Sequence, residues 1–239
     1  MSLSIIIPVF NEEDQIKVTL KKLLKIKKKI NNFEIILIND FSTDRTEKNI
    51  RNYIVNKKYI KLYKNNKKGL GPAIQNGILR SRKKYVCIFM ADMSDDIKDL
   101  IKYYNLIKKK NTDAVFGTRF SSESKIKNYP NTKYILNRIF NNIVKLLFLS
   151  NYNDFTNAFK IYKKETLKKL LPIVSENFNV FLELPLKILI RKYSYFVIPI
   201  NWSNRKKGSS NFKIKELGSK YLFTLFYCLL EKILLNNKK

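Results

Sequence analysis

In the first half of the chain, the spacing of apolar residues switches repeatedly between the period of a β-strand and the period of an α-helix. Runs of β-branched and aromatic residues predict strands at residues 3–9, 33–39, 59–63, 85–90 and 113–116. Amphipathic segments between them predict helices at residues 12–29, 43–56, 70–82 and 95–109. Strands that alternate with helices form βαβ units, so we expect a mostly parallel sheet with helices on both faces.

The second half of the chain is less regular. Polar, basic stretches at residues 121–130 and 205–213 predict loops. Between and after them the pattern predicts helices at 132–149, 164–171 and 180–191, strands at 158–162 and 195–200, and a last helix from about Ile214. No internal repeat or low-complexity linker interrupts the sequence, so we expect this half to complete the same domain.

Composition narrows the class of protein. A chain of 239 residues suits one α/β domain with a terminal appendage, or at most two small domains, and its 45% hydrophobic content excludes a disordered protein. Cys87 and Cys228 are the only cysteines, and both lie in apolar runs, which favours buried side chains over a disulfide or a metal pair. The sequence has no histidine, so histidine catalysis and histidine metal ligation are excluded.

The charge is strongly positive. Forty-eight lysines and arginines stand against 19 acids, which gives a formal net charge of +29. Such a balance favours nucleic acid, anionic lipid or phosphorylated substrates as partners. The lysines are scattered, however, so a compositional bias spread over solvated faces explains the charge equally well. No zinc module, RNP-like stretch or basic zipper is present, and we expect no specific nucleic-acid binding.

Neither end of the chain predicts a membrane-spanning segment. The amino terminus lacks the basic region and apolar core of a signal peptide. The most apolar late stretch, residues 221–230, is interrupted by Glu231 and Lys232, whereas a spanning helix needs roughly 20 apolar residues. This last helix is compatible with a position in the membrane interface and equally with packing against the domain.

Charged residues follow the predicted strands at their carboxyl ends, where ligands bind in parallel sheets. Asp40 follows the second strand, Asp92 the fourth and Arg119 the fifth. Asp92 is the best candidate for a metal ligand, because a carboxylate together with substrate phosphates suits Mg²⁺ or Mn²⁺. Asp95 and Asp96 fit the start of the next helix.

Other polar residues at these strand ends have simpler interpretations. Asn11 is suited to cap the first helix, and Ser42 or Thr43 to cap the second. The loop that contains Gly69 and Gly71 is suited to bring backbone N–H groups against phosphates. Because it lies in the third βα unit rather than the first, it does not predict a dinucleotide-binding site.

The ordered set of motifs resembles a known family. The motifs occupy residues 5–13, 39–44, 68–73, 91–96, 117–120, 137–138, 154–157, 181–184 and 205–212. Their order and spacing resemble the family 2 glycosyltransferases, in particular the enzymes related to dolichol-phosphate mannose synthase and the bacterial polyprenyl-phosphate glycosyltransferases. The resemblance covers nearly the whole chain.

The resemblance implies a GT-A-like fold, a doubly wound mixed α/β sheet. Residues 1–212 would form the glycosyltransferase domain, with a nucleotide-sugar half (1–119) and an acceptor half (120–212), and residues 213–239 an amphipathic helix at a membrane surface. The implied activity is inverting transfer from a nucleotide-sugar to a polyprenyl phosphate, with the protein peripheral at the cytoplasmic face of the membrane. The alternatives are transfer to a sugar hydroxyl in cell-envelope glycan or lipopolysaccharide synthesis and, from a different class, a nonspecific nucleic-acid-binding protein or a non-catalytic homologue.

The resemblance also assigns roles to residues. The donor would be held by Pro8, Phe10, Glu12, Asp40, Lys68, Gly69, Gly71 and, through Mg²⁺ or Mn²⁺, Asp92. The acceptor phosphate or the leaving diphosphate would be held by Arg119, Arg138, Arg205 and Ser210. A hydroxyl acceptor would need a general base, for which Asp154 and Glu183 are candidates, although a helix cap and a helix-face acid are equally good interpretations.

Three departures from the family pattern matter. Met90 stands where the family has the first carboxylate of an Asp-x-Asp pair, which predicts weaker metal binding or help from Ser94 or Asp95. Ser210 and Asn211 replace a Ser-Lys pair, so one expected cation is missing. The transmembrane pairs found at the carboxyl end of many family members are also absent from this sequence.

Overall fold

Nine strands and eight α-helices make up the described part of the protein, which a computed structural model gives for residues 2–204 and 214–236. The strands are β1 Leu3–Val9, β2 Phe33–Asn39, β3 Ile60–Lys64, β4 Tyr85–Ile88, β5 Ala114–Thr118, β6 Ile126–Lys127, β7 Lys160–Lys163, β8 Tyr195–Pro199 and β9 Trp202–Ser203. The helices are α1 Ile16–Leu23, α2 Thr46–Ile54, α3 Leu70–Arg80, α4 Ile97–Lys110, α5 Asn131–Phe148, α6 Lys164–Lys169, α7 Val180–Ile190 and α8 Ile214–Asn236. A 3₁₀ turn, Leu24–Lys28, extends α1.

Seven strands form one mixed sheet in the order β3-β2-β1-β4-β7-β5-β8. The first four strands in sequence run parallel, as βαβ units require. The exception is β7, which lies antiparallel between β4 and β5. The predicted mixed, doubly wound sheet is therefore confirmed, and its carboxyl edge collects the loops that follow β1, β2, β4 and β5.

Side chains of the sheet divide between two apolar cores because successive residues of a strand point to opposite faces. Ile5 and Ile7 join a core beneath α1 and α4, whereas Ile6 joins the other core, beneath α3, α5, α7 and α8. Both faces are covered, so β1 and β2 are buried along their whole length. This explains the continuous apolar runs in these two strands.

The first two helices begin later than predicted, because their supposed caps bond to each other instead. Asn11, in a left-handed conformation (φ 51°), donates its N–H to Ser42 Oγ at 3.1 Å. Its side-chain oxygen accepts from the N–H of Thr43 at 2.8 Å. The capping predictions for Asn11, Ser42 and Thr43 are therefore wrong, and the two loops are joined at the carboxyl edge of the sheet.

The stretch predicted as a loop at 121–130 contains a strand. Within it β6 pairs in parallel with β9, with Ile126 opposite Trp202, to form a separate two-stranded ribbon. Asp96 caps α4 by accepting from the N–H of Lys98 at 2.9 Å, as its position in the sequence suggested. Asp95 instead forms an antiparallel bridge with Trp202, which ties the loop after β4 to this ribbon.

The last helix, α8, packs against the domain along one face only. Tyr221, Leu225 and Cys228 are buried in the second core, together with residues of α7. Cys87 is buried in the first core, and both cysteines are free, as predicted. Within residues 2–204 and 214–236 no helix has the length and apolar content that a membrane crossing requires.

Candidate active site

The residues predicted to hold a nucleotide lie together at the carboxyl edge of the sheet. Parallel pairing places Pro8 opposite Ile38, so Phe10 and Asp40 leave the ends of β1 and β2 side by side. The backbone N–H of Asp40 donates to the carbonyl of Val9 at 2.8 Å, which fixes this alignment. Pro8, Phe10 and Asp40 are thus brought together by strand register alone.

Asp40 holds the loop between β3 and α3. Its two carboxylate oxygens accept from the N–H of Gly69 at 2.9 and 3.1 Å, and Oδ1 also accepts from the Asn65 side chain at 2.8 Å. Gly69 has φ +132°, a conformation that side chains with a Cβ rarely adopt. In this loop Lys68 places its ammonium 5.8 Å from the centre of the Phe10 ring. Asp40 therefore positions a cation at the predicted donor site.

The absence of a side chain at Gly71 lets the start of α3 pack closely against the backbone of Ser175 and Glu176. A Cβ at this position would lie 1.7 Å from the carbonyl oxygen of Ser175, and the N–H of Gly71 donates to the carbonyl of Glu176 at 3.0 Å. The N–H groups of both Gly69 and Gly71 thus bond within the protein rather than projecting toward a ligand. The glycines were predicted to cradle phosphates, whereas the structure uses them to join two loops.

Glu12 belongs to the joined loops at the end of β1. Its N–H donates to Thr46 Oγ1 at 2.7 Å, and the side chain is half-buried. The next residue, Glu13, accepts from the N–H of Arg45 at 2.8 Å and, through its own N–H, donates to Asp44 at 3.1 Å. These bonds hold the start of α2 against the β1 loop, next to the residues predicted to bind the base and ribose.

Asp92 and Asp95 form the acidic side of the site. Asp92 is half-exposed just beyond β4, and its Oδ1 accepts from the N–H of Ser94 at 3.0 Å. Asp95 is buried, and among the described residues its Oδ2 has no hydrogen-bond partner. Burial, reinforced by the nearby charge of Asp92, raises the pKa of Asp95 to about 8. Asp95 is therefore mostly protonated at neutral pH, which the sequence did not predict.

Arg119 and Asp154 form a buried ion pair. Arg119 Nε and Nη2 donate to the two carboxylate oxygens at 2.9 and 2.6 Å, and the backbone N–H of Arg119 adds a third bond at 2.8 Å. Burial alone lowers the pKa of Arg119, but the charge and hydrogen bonds of Asp154 raise it above the ordinary value. Arg119 is thus charged, and Asp154 fixes the direction of the guanidinium.

Arg138 stands beside Arg119. The two guanidinium carbons lie 4.6 and 5.3 Å from the centre of the Phe120 ring. Arg138 Nη1 is buried and makes no hydrogen bond to a described residue. Thr156 connects Arg119 to α5, because it accepts from Arg119 Nη2 at 3.3 Å and donates to Asn137 at 2.8 Å. Two of the predicted acceptor-binding cations therefore converge.

Lys160 is a buried cation that the sequence analysis missed. Its ammonium donates to the carbonyl oxygens of Phe155 at 3.1 Å and Phe181 at 3.5 Å, and to that of Asn157. Burial lowers its pKa to about 7, although Asp154 and Asp95 partly oppose this shift. A lysine in a predicted buried strand was the available signal, since a buried lysine needs compensating partners.

A cavity of about 440 Å³ opens beside Arg119. Its polar side is formed by Arg119 and Lys133 together with Asn137 and Thr156. The remainder of the wall is mostly aromatic and aliphatic and includes Tyr129, Leu136, Phe140, Phe178, Trp202, Tyr221 and Leu222. The cavity is therefore lined by a guanidinium on one side and mostly by apolar side chains on the other.

Glu183 lies away from this cavity. It is fully buried, accepts from the N–H groups of Val174 and Ser175 at 3.0 and 2.8 Å, and pairs with Lys187 at 2.6 Å. Glu183 thereby supports the backbone against which Gly71 packs, and the structure does not bring it to Asp92 or Arg119. The predicted residues Arg205 and Ser210 lie outside the described residues.

The sheet order and the charged carboxyl edge define a GT-A-type fold, the class of the nucleotide-diphospho-sugar transferases. The chain belongs to glycosyl transferase family 2, whose sequence profile matches residues 4–171. This membership confirms the family resemblance that the motifs in the sequence predicted.

Similar proteins support the assignment. A dolichyl-phosphate β-glucosyltransferase of Dictyostelium discoideum is 30% identical over 186 residues, which cover 71% of this chain and 56% of that protein. A dolichol-phosphate mannosyltransferase of Pyrococcus furiosus is 25% identical over 224 residues, 91% of this chain and 61% of that protein. The chain thus spans little more than half the length of these relatives.

Solved structures share the fold at low identity. Glucosyl-3-phosphoglycerate synthase from Mycobacterium tuberculosis, in a complex with Mn²⁺, UDP and glucosyl-3-phosphoglycerate, superposes with a TM-score of 0.74 at 14% identity. The match covers 95% of this chain and 80% of that one. At this identity the likeness supports the fold.

Proposed function

We propose that this protein transfers a sugar from a nucleotide-sugar to a polyprenyl-type lipid phosphate, with inversion at the anomeric carbon, at the cytoplasmic face of a membrane. The observation that carries the proposal is the cavity in which Arg119, oriented by Asp154, meets a wall of Tyr129, Phe140 and Tyr221. A lipid phosphate has the matching chemistry, an anion joined to an apolar chain. Because Asp154 accepts from Nε and Nη2 of Arg119, the positive charge of the guanidinium, rather than a bidentate fork, would attract the phosphate.

Neither carboxylate that was predicted as a general base is available for that role, which favours a phosphate acceptor over a hydroxyl. Asp154 is held by Arg119 and Glu183 by Lys187, so both carboxylates are engaged in buried ion pairs. A sugar hydroxyl needs a base to remove its proton, whereas a phosphate is already ionised at neutral pH. The names of the relatives from Dictyostelium and Pyrococcus, which refer to dolichyl phosphate, support a phosphate acceptor.

The donor would bind along the edge formed by Phe10, Asp40, Lys68 and Asp92, with Mg²⁺ or Mn²⁺ at Asp92. The described residues contain no group of three or more acidic or cysteine side chains arranged as a metal site. The half-exposed carboxylate of Asp92, near the orphaned Oδ2 of Asp95, nevertheless fits a cation that takes most of its ligands from a diphosphate and water. The Mn²⁺ and UDP in the mycobacterial synthase support this view.

The chemistry then requires little proton movement. Arg119 and Lys133, the two cations among the described residues that line the cavity, hold the acceptor phosphate, whereas Arg138 is not part of the cavity lining. One phosphate oxygen attacks the anomeric carbon while the bond to the nucleoside diphosphate breaks. The leaving diphosphate gains the charge that the acceptor loses, and Lys68 lies on the donor side to stabilise it. A bound divalent cation supplies the rest of that stabilisation.

A transfer assay tests the proposal. The chain is incubated with UDP- or GDP-sugars, a polyprenyl phosphate in detergent, and Mg²⁺ or Mn²⁺. We expect a lipid-phosphate sugar of inverted anomeric configuration, and a loss in kcat/KM of roughly 100-fold in Arg119→Lys, which keeps the charge but loses the fork. The matched control is Arg51→Lys on the exposed face of α2, which should leave the rate unchanged. Transfer to a glycan hydroxyl but not to the lipid phosphate would contradict the proposal.

A further inference from the structure

A short turn, residues 154–157, sets the direction of Arg119. Within it the N–H of Asn157 donates to the carbonyl oxygen of Asp154 at 3.2 Å. Two side chains of the turn, Asp154 and Thr156, accept hydrogen bonds from Arg119 Nη2 at 2.6 and 3.3 Å. The direction of the guanidinium therefore depends on where this turn places a carboxylate and a hydroxyl.

Lys160 bonds to the backbone of the same turn. Its ammonium donates to the carbonyl oxygen of Phe155 at 3.1 Å and to that of Asn157, the residues on either side of Thr156. A third bond, to the carbonyl oxygen of Phe181 at 3.5 Å, ties the turn to α7. An ammonium has three N–H donors, so backbone carbonyls use all of them. The side chain thus fixes the turn and has no donor left for a substrate.

A buried ammonium at this position is costly. Lys160 is 1% exposed in β7, where it lies opposite the apolar residues Ile88 and Phe116 of the neighbouring strands. Burial disfavours the charged form and lowers the pKa of Lys160 to about 7, an effect that the charge of Asp154 opposes. A methionine would fill a similar space without this cost. Packing alone therefore does not account for a lysine here, whereas the three carbonyl bonds do.

Lys187, the other buried lysine among the described residues, is compensated in a different way. It is paired with Glu183 at 2.6 Å, so a carboxylate balances its charge. The carboxylate near Lys160 is Asp154, which is paired with Arg119 instead. Lys160 is therefore held mainly by the carbonyl dipoles of the turn, and the two depend on each other for their positions.

We propose that Lys160 is a positioning residue, which holds the turn at 154–157 and thereby directs Arg119 toward the cavity beside it. The effect on transfer rests on the proposed function, whereas the effect on the direction of Arg119 does not. Lys160 is not among the residues that line the cavity, so it acts through Arg119 rather than on a substrate. Loss of its N–H donors should leave Arg119 charged but misdirected.

The Nε–H resonance of Arg119, in NMR spectra of nitrogen-labelled protein, tests the positioning without any substrate. In the wild type this N–H donates to Asp154 at 2.9 Å inside the protein, so we expect slow exchange with water. The resonance is assigned by its loss in Arg119→Lys. Lys160→Met and Lys160→Gln should shift it and speed its exchange at least about tenfold. An unchanged resonance in the folded variants would overturn the proposal.

The two substitutions at Lys160 are graded. Methionine supplies no N–H donor and glutamine supplies two, so Lys160→Met should have the larger effect on Arg119. Lys160→Gln also keeps the test open if Lys160→Met does not fold. A larger effect of glutamine than of methionine at equal stability would contradict a role that depends on N–H donors.

Lys187→Met is the matched control, because it removes the donors of a buried lysine that bonds to the carbonyl oxygens of Leu170 and Pro172. Its melting temperature should fall at least as far as that of Lys160→Met, since it also breaks the ion pair with Glu183. The Arg119 resonance should nevertheless stay unchanged. An equal change at Arg119 in both variants would indicate a general loss of structure and would overturn the proposal.

Transfer kinetics give an independent readout. Lys160→Gln should lower kcat/KM for the lipid phosphate about tenfold or more in the wild-type background. In the Arg119→Lys background it should add less than about twofold, because the group that it positions is already gone. Equal losses in both backgrounds would show that Lys160 acts elsewhere and would overturn the proposal. Absence of transfer by the wild type would instead contradict the proposed function, while the NMR comparison would still decide the role of Lys160.

Discussion

Arg119 and Asp154, 35 residues apart in the chain, are joined by two side-chain hydrogen bonds of 2.9 and 2.6 Å inside the protein. A carboxylate that already accepts three N–H groups from one arginine is poorly placed to remove a proton from a substrate. Its effect is to hold a guanidinium against the wall of an apolar cavity. The pair therefore defines how an anion would be oriented there.

Replacing Asp154 by Asn should leave Arg119 charged, buried and misdirected. Loss of one partner of a buried pair costs about 3–5 kcal/mol of the free energy of unfolding, and loss of a residue that orients a ligand group costs about 10–100-fold in rate. Urea denaturation and kcat/KM for the folded variant measure the two effects. If wild-type activity depends on an ionisation that the variant abolishes at unchanged stability, Asp154 is a general base instead.

The two i,i+4 ion pairs Glu183–Lys187 and Glu47–Arg51 should differ greatly in their contribution to stability. Glu183→Gln breaks a fully buried pair and should lower the free energy of unfolding by about 3–5 kcal/mol. Glu47→Gln breaks a largely exposed pair of the same spacing and should cost less than about 1 kcal/mol. Urea denaturation of the two variants measures both losses in the free energy of unfolding. A rate loss in folded Glu183→Gln with little loss of stability would restore its predicted catalytic role.

Replacing Asp92 by Asn should remove the metal-dependent part of the stabilisation that the donor gives to the folded protein. A ligand at about 100 times its Kd raises the free energy of unfolding by about 2.7 kcal/mol, and the variant should lose the part that depends on Mn²⁺. Thermal unfolding with nucleotide, with and without Mn²⁺, measures this. Asp96→Asn is the control, because asparagine also caps a helix. An equal metal response in wild type and Asp92→Asn would rule out Asp92 as a ligand.

Replacing Gly71 by Ala should destabilise the protein, since the new Cβ would lie 1.7 Å from the Ser175 carbonyl oxygen. We expect a loss of about 1–3 kcal/mol from forced backbone shifts. Gly218→Ala in α8 is the matched control, because its Cβ would meet no atom within 4 Å, and a gain of about 0.5–1 kcal/mol is expected there. Chemical denaturation of both variants decides; equal effects would contradict the packing role of Gly71.

The protonated state of Asp95 should make stability fall as pH rises. Burial and the charge of Asp92 raise the pKa of Asp95 from 3.8 to about 8, so the folded state binds this proton more tightly than the unfolded state. The resulting stabilisation is complete below about pH 4 and is lost as pH rises through about 8, with a slope of at most about 1.4 kcal/mol per pH unit. Urea denaturation of wild type and Asp95→Asn between about pH 5 and pH 8 measures the difference. Parallel curves would show that Asp95 is already ionised.

The succession of strands and helices followed from the sequence, because periodicity is a local property. The apolar runs of β1 and β2 and the amphipathic segments between strands identified the sheet. Strands that run in one direction carry Asp40, Asp92 and Arg119 to the same edge, and β5 keeps this direction because β7 lies antiparallel to both β4 and β5. The motifs at those strand ends also identified the family. These features needed no knowledge of which distant segments touch.

Only the tertiary structure decided the roles of side chains whose partners are remote in the chain. Asp154 and Glu183 look alike in the sequence, yet one orients an arginine at the cavity while the other supports a buried turn. In the sequence Asp95 fitted the start of a helix, whereas in the structure its burial and the nearby charge of Asp92 raise its pKa. Burial and pairing arise from long-range packing, which periodicity along the chain does not encode.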